Sequence, residues 1–516
     1  MTEDRPFDVI VVGSGAGGLA AALTTARAGL RTIVLERTQA IGGTSAMSGG
    51  LVYAPGSPLA REAGQQADRA SIVGYLTAVA RRPIDQALLD AFLDAAPDMV
   101  EQLLDAGMAL RLTGVADYYH EVPGAAVGHV VATQPFDPAQ LGELAPLIRR
   151  SPYRDSEPPP WTNGMSLIAG LVDAATRAGA QIQASCRVRS LLTEDGRVAG
   201  VVTDSAQGPA VLRADHVVLA SGGFEYNQAL VQEWVGDRLE CAWSCPGNEG
   251  DGLLMAQEAG ASLSGLGEVQ WYALLRLSDA ELEGTPLYAD ASPARNLPGS
   301  IIVDNLGRRF TDEAAQYQDF ARTLAAHRTG EGPAAWLIAD QTFLEQYGDT
   351  SFGSRPLQAP HWLTAETPAD LARLIGVPPD TLAATLRQFN QSAADGLDPQ
   401  FGRGEAVIDR EWGDTSKEGG HTCLAPLERA PFHATRVYAG CSGTTGGPEI
   451  DASARVVGSD GTPIPGLYAT GNIIRQLFGD AAPASGATLG PAMTFGYLAG
   501  RTAAVLAGVR SGAARP

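Results

Sequence analysis

A chain of 516 residues is longer than one ordinary hydrophobic core accommodates, so two or more packed units are expected. Its 45% apolar and 18% charged residues exclude a disordered protein. With 58 acidic residues against 37 basic ones, the net charge of −21 excludes non-specific attraction to nucleic acid or anionic lipid and leaves a small molecule as the expected partner.

No uncharged apolar run of 18 residues is present, and the start MTEDRPFDVIVVG lacks the basic opening and cleavage pattern of a signal peptide. A cytoplasmic chain without a membrane span is therefore expected. The five cysteines (Cys186, Cys241, Cys245, Cys423, Cys441) are scattered, so reduced, buried thiols and no metal are expected.

The apolar run DVIVV at 8–12 leads into Gly13, Ser14, Gly15, Ala16, Gly17 and Gly18, then a helix-forming segment, then the strand RTIVLE ending at Glu36. This order of strand, GxGxxG, helix, strand and acid is the dinucleotide fingerprint. Gly13 makes the tight turn, Gly15 lets the backbone approach a pyrophosphate, Gly18 lets helix and strand pack closely, and Glu36 holds a ribose. Arg37 follows directly. A second small-residue loop, with Gly43, Thr44, Ser45, Ser48, Gly49 and Gly50, has no place in a simple nicotinamide domain. Further on, a hairpin-like segment containing Val188 turns at Asp195 and Gly196, DHVVLASGG ends in Ser221 and Gly222, and GLYATGN ends in Gly471 and Asn472. One Rossmann unit whose later strands bring small residues back to one ligand is the layout of an FAD-binding domain.

Residues 479–497, GDAAPASGATLGPAMTFGY, contain twelve Gly, Ala, Pro or Ser among nineteen and a single charge, Asp480. Pro491 suits the first turn of a helix, with Ser485 or Thr488 as its cap. The expected reason for the small residues is that this backbone, with Thr488 and Leu489, reaches the flavin and stabilises negative charge on its pyrimidine edge.

Together DYYHEVPG (117–124), IIVDNLGRRFTDEAAQY (301–317), SGTTGGPEID (442–451), PIPGLYATGN (463–472) and GATLGPAMTFGYLAGR (486–501) resemble the fumarate reductase and 3-ketosteroid 1-dehydrogenase superfamily of flavoproteins, most of all its ketosteroid dehydrogenase branch. The resemblance implies an α/β fold: a discontinuous Rossmann-like FAD-binding domain at 1–270 and 437–516, and an inserted α+β catalytic (cap) domain at 271–436. It implies Tyr317 as the base for the α proton, Tyr118 as its helper, the Gly486 N–H as a grip on the ketone oxygen, and flavin N5 as hydride acceptor. Where the ketosteroid branch carries a Tyr four residues before that Gly, this chain has Ala482; Ser485, Asp480 or Tyr272 could supply the missing hydroxyl or donor. Tyr272, Ala482 and Ser485 are accordingly expected at the substrate. The fumarate-binding His and Arg set is absent apart from Arg475, and GGTSAMSGG has no His, so non-covalent FAD is expected.

The function expected is desaturation of a cyclic, largely apolar ketone, with an external electron acceptor. The reverse ene-reduction, a non-redox hydratase or isomerase, and a flavin-binding protein without turnover remain alternatives.

Overall fold

The computed structural model describes residues 7–65, 68–153, 158–205, 208–328, 335–348, 351–352, 355–356 and 361–508. In the sequence RRSPYRDSEPPPWTNG (149–164) reads as a surface excursion and EGPAAWLIAD (331–340) as a strand, and part of the first and the start of the second lie outside these ranges. Within the excursion, Arg149, Ser151, Tyr153 and Trp161 are buried, so those parts belong to the interior and not to a surface loop.

The strand Phe7–Val12 sits in the middle of an eight-stranded sheet, and Val9, Ile10 and Val11 are fully buried. Such a continuous β-branched run is what a parallel strand covered on both faces requires. The order across the sheet is Arg455–Val457, Pro463–Ala469, Gly208–Leu219, Phe7–Val12, Thr32–Leu35, Gln181–Gln183, and the last five strands are parallel. The carboxyl ends at Val12, Leu35, Leu219 and Ala469 therefore open at one edge, where an open α/β sheet binds its ligand. The hairpin Cys186–Glu194 and Arg197–Ser205 joins through Gly208–Leu219; its two-residue turn, Asp195 and Gly196, has positive φ at both positions, as a tight hairpin demands.

The helix Ala16–Arg27 packs against Leu489–Leu506 and Asn163–Arg177. The contact with Leu489–Leu506 largely explains the small residues at 479–497. A Cβ on Gly496 would lie 2.1 Å from the Gly17 carbonyl oxygen, and one on Gly490 would lie 2.0 Å from that of Tyr53. The backbone that comes so close is the protein's own. The stretch was expected to be small chiefly for the flavin, with close packing against a neighbour as the lesser reading; its other side does face the cleft described below.

A second sheet is antiparallel along its main path, in the order Thr285–Asp290, Leu263–Leu282, Phe432–Pro448, Ala335–Asp340, Ser300–Val303. A separate core of Ile301, Val303, Ile338, Leu371, Leu382, Leu386 and Phe389 lies beside it, with the helices Pro368–Ile375 and Pro379–Ala393 supplying one wall. The junctions expected at 270/271 and 436/437 fall inside the strands Leu263–Leu282 and Phe432–Pro448, which pair with each other. Both strands continue through those points.

Candidate active site

One cleft opens at the carboxyl edge of the parallel sheet, and every cofactor, substrate and catalytic residue named from the sequence lines it. At one end are Gly13 to Gly18, Glu36, Arg37, Gly43, Thr44, Ser45, Ser48 to Gly50, Val188, Ser221 and Gly222. Gly471, Asn472, Ser485, Gly486, Thr488 and Leu489 line it further along, and Tyr118, Tyr272, Tyr317 and Ala482 complete it.

The Gly-rich turn is shaped by exclusion. Gly13 has φ +105, and a Cβ there would lie 2.4 Å from the Ala220 carbonyl oxygen, whereas a Cβ on Gly15 would meet only Ser45 Oγ, at 3.5 Å. The first glycine is thus closed against the sheet while the third residue of the turn leaves its face to a ligand. Glu36 accepts from Ser14 N (3.2 Å), Ser14 Oγ (2.5 Å), Thr38 N (2.8 Å) and Thr38 Oγ1 (2.9 Å), which fixes its carboxylate on the cleft wall.

The helices Ala16–Arg27 and Leu489–Leu506 start at the cleft with no acidic residue in the first turn and no side-chain cap. Neither residue expected to cap the second helix does so: Thr488 makes no cap bond, and Ser485 Oγ is engaged elsewhere. Ala16 N donates to Ser45 Oγ at 3.1 Å and Gly490 N to the Gly486 carbonyl at 2.9 Å, and the positive dipole ends suit a diphosphate at the first helix and an electron-rich ring edge at the second. A fixed acid after the second strand, two helix starts without acidic residues and a glycine face left open together fit FAD.

At the far end the aromatic side chains form one stack of edges and faces. Tyr118 meets Tyr317 edge-on at 5.8 Å between ring centroids, and Trp412 at 5.4 Å. Tyr272 lies flat on Tyr317 at 4.4 Å and 20°, and Trp243 edges onto Tyr272 at 5.1 Å. The Tyr118 hydroxyl is 2.7 Å from Ser485 Oγ, and the segment is pinned by Tyr118 N and the Tyr75 hydroxyl, both donating to the Pro483 carbonyl, at 2.8 and 2.6 Å. Ala482 packs with Tyr118 and Ile408, flanked by Trp412 and Tyr317. The place beside the missing phenol is therefore occupied by apolar and aromatic groups from the segment 406–412.

Tyr317 opens the helix Tyr317–His327, whose start is capped by Gln316 accepting from Gln318 N (2.8 Å) and Asp319 N (3.1 Å). The loop before it is held by a buried charge network. Arg295 donates to the carbonyls of Glu313 and Ala315, Arg309 forks onto both Glu313 and Asp398, and Arg403 reaches Glu313 and the Ser300 carbonyl. Arg309 and Arg403 are paired with carboxylates, as a buried ion requires, while among the described residues Arg295 is held by carbonyls and the Ser292 hydroxyl alone. Beside the network Asp312 is pushed up to about 7 by burial and by the charge of Asp409; Asp409 is raised as well, first by burial.

Burial also pushes Tyr317 up to about 12, and the neighbouring Tyr272 phenol works in the opposite direction. Tyr118 and Tyr272 are pushed well above the ordinary tyrosine range by burial. The sequence reading assigned Tyr118 to lowering the proton affinity of Tyr317; both Tyr118 and Tyr272 have their rings against Tyr317.

Gly486 has φ +79, and its carbonyl accepts from Tyr53 N at 3.2 Å; among the described residues its N–H has no acceptor. Asp480 is no donor: its carboxylate pairs with Arg322. Arg475 donates to Glu268 at 2.9 Å, and Arg82 shares that acid, so neither guanidinium is left to clamp a dicarboxylate. His120 pairs with Glu411 at 3.1 Å.

The sequence reading missed Trp243, Cys245, Asn248, Gln270, Ser442 and Gln476 on the cleft wall, and Trp412 behind it. The one available signal was alternation: Gln270 and Tyr272 share a face of the strand Leu263–Leu282. Gln270 is 7% exposed, and among the described residues its amide has no partner.

The FAD binding domain family matches residues 8–489 of the chain. The chain is 37% identical to the 4-oxocyclohexanecarboxylate 2-dehydrogenase of Sinomonas cyclohexanicum, over 99% of its own length and 96% of that protein's. It is 32% identical to a 3-oxosteroid 1-dehydrogenase of Mycolicibacterium smegmatis, over 96% of both. The crystal structure of 3-ketosteroid Δ1-dehydrogenase from Sterolibacterium denitrificans, in complex with 1,4-androstadiene-3,17-dione, superposes with a TM-score of 0.88 at 31% identity, covering 97% of this chain and 99% of that one. No helix among the described residues is long and apolar enough to cross a membrane.

Proposed function

Because the chain belongs to the FAD binding domain family, alongside 3-oxosteroid 1-dehydrogenases and an oxocyclohexanecarboxylate dehydrogenase, we propose that it removes two hydrogens from adjacent carbons beside the carbonyl of a cyclic, largely apolar ketone. The observation that supports this most is the Tyr118–Tyr317 pair, 5.8 Å between rings, in the same cleft as the Gly486 N–H.

Tyr317 takes the α proton as a phenolate. Tyr118, with Ser485 donating to its oxygen, turns its own proton toward Tyr317 and steadies that charge. The Gly486 N–H holds the ketone oxygen as enolate character develops. The two-electron acceptor chemistry is supplied by FAD when bound, with an external acceptor taking the electrons onward. The paired state of Arg475 and Arg82 favours a ketone over a dicarboxylate, and the aromatic wall favours an apolar ring. FAD is held without a covalent link, and residues 271–436 with the strands flanking them serve as the catalytic unit.

Anaerobic titration of the FAD-loaded protein with 4-oxocyclohexanecarboxylate, unsubstituted cyclohexanone and 4-androstene-3,17-dione tests the reading. Bleaching of the oxidised flavin band by at least one ketone is expected. No bleaching by any of them, with product formed or the band unchanged, overturns it.

A further inference from the structure

We propose that the Gln270 side chain, with Ser442 beside it, is a second docking point for the substrate, and that the ring ketone carries an uncharged hydrogen-bonding substituent such as a carboxamide or a hydroxyl. The substrate class rests on the desaturation reading above; the docking point does not.

The backbone brings the two residues together. Val269 pairs with Thr444 and Trp271 with Cys441, so one residue, Gln270, stands opposite two, Ser442 and Gly443. Such a bulge re-aims a side chain, which is why bulges gather beside binding sites. Gln270 and Ser442 both line the cleft. Gln270 also shares a strand face with Tyr272, their backbones about 7 Å apart along the strand, so the amide belongs to the tyrosine end of the cleft.

The fold uses neither side chain. Gln270 is 7% exposed, and among the described residues neither its amide nor the Ser442 hydroxyl has a hydrogen-bond partner. A buried amide left unpaired is costly, and packing alone would be better served by Leu or Met. Gln476, also on the cleft wall, donates through Nε2 to the Ala481 carbonyl at 2.8 Å, while its buried Oε1 has no partner among the described residues. Arg475 ties that segment to Glu268, two residues before Gln270, at 2.9 Å. Unused donors and an unused acceptor therefore line the same cleft.

Charge decides the kind of group they take. Among the described residues the charged side chains lining the cleft are Glu36, Arg37, Arg187 and Asp251, gathered at the dinucleotide end, where both arginines pair with Glu249 and Asp251. No described cation lines the tyrosine end. A carboxylate seated at Gln270 would lose its water without gaining a counter-charge, and it has no proton to donate to Gln476 Oε1. A carboxamide or hydroxyl both donates and accepts, whereas an apolar substituent would leave the buried amide unpaired.

The test uses the FAD-loaded protein reduced under anaerobic conditions, in which a saturated ketone cannot be oxidised, and reads binding by calorimetry. 4-Oxocyclohexanecarboxamide is expected to bind about tenfold more tightly than its apolar near-isostere 4-isopropylcyclohexanone, and about tenfold more tightly than 4-oxocyclohexanecarboxylate. Gln270→Met, close in length and shape, is expected to abolish the preference over the isopropyl compound while leaving that compound's affinity within about twofold. Ser442→Ala is expected to weaken the same preference and serves if Gln270→Met folds poorly. Equal affinities in the parent protein overturn the inference, as does a preference that survives both variants, and a carboxylate bound as tightly as the carboxamide overturns the uncharged class. A lowered flavin-to-protein absorbance ratio in Gln270→Met would assign the amide to the cofactor and overturn the docking point. Should the preference be present while no ketone bleaches the oxidised flavin, the desaturation reading fails and the docking point stands.

Discussion

Tyr118 and Ser485 share a hydrogen bond of 2.7 Å between hydroxyls 367 positions apart in the chain. It ties the loop carrying one tyrosine to the turn that presents the Gly486 N–H, the two parts of the cleft to which the proposed function gives proton transfer and the grip on the ketone oxygen. Ser485→Ala is expected to lower kcat/KM about five- to tenfold, the worth of one neutral hydrogen bond, while keeping bound flavin. A change confined to KM would instead place Ser485 at ground-state binding.

The titration of Tyr317 sets the pH dependence. Pushed up to about 12, the side chain is the neutral phenol at physiological pH, and its base form grows as pH rises. Log kcat/KM is expected to climb by about one per pH unit through the alkaline range, and Tyr317→Phe to lose roughly 100- to 10,000-fold in turnover with the flavin spectrum intact. A flat profile in the parent protein would remove this ionisation from the rate-determining sequence.

The Asp312–Asp409 pair gives stability its own pH dependence. Asp312 binds its proton more tightly folded, at about 7, than at its ordinary 3.8, so the folded state takes up a proton between those values. Stability is therefore greatest below the lower value and falls as pH rises toward neutral, the full cost being present above about 7. Asp312→Asn keeps an acceptor for Ala314 N and offers Asp409 a donor. Its thermal stability should exceed the parent's by an amount that grows from pH 5 to pH 8, to roughly 1–3 kcal/mol. An offset constant with pH would show that the pair holds no proton.

Gly486→Ala combines backbone strain with collision. At φ +79 an Ala costs about 1 kcal/mol, and its Cβ would lie 2.6 Å from both the Leu51 carbonyl oxygen and Tyr53 N. Lowered thermal stability and a reduced flavin-to-protein absorbance ratio are expected. Undiminished values would mean that the strand Leu51–Tyr53 yields easily.

What the sequence revealed of the site follows a physical division. Gly13, Gly15, Gly18 and Glu36 were legible because a tight turn, a close backbone approach and an acid after the second strand leave a pattern within thirty residues. Tyr118 and Tyr317 were legible only through the family motifs around them. Trp412 and Trp243 were not, because each reaches the tyrosines through long-range packing that leaves no local periodicity. The residues at 479–497 were half understood: their smallness answers to Gly17, Leu51 and Tyr53 as much as to any ligand, and a glycine does not record which neighbour requires it. The Arg–acid network likewise joins Arg309 to Asp398 and Arg403 to Glu313, 89 and 90 positions apart, separations at which charge pairing is invisible in the chain.

The strands Leu263–Leu282 and Phe432–Pro448 run without a break past the points where a cofactor unit and a catalytic unit were expected to part. Gln270 and Tyr272 lie on one of them and Ser442 on the other, so the cleft wall is carried by paired strands. A protease nick or a circular permutation at 270 or 436 would sever this wall in mid-ladder and take the tyrosine stack with it. A cut in the exposed turn at Asp195 and Gly196 would leave the wall whole.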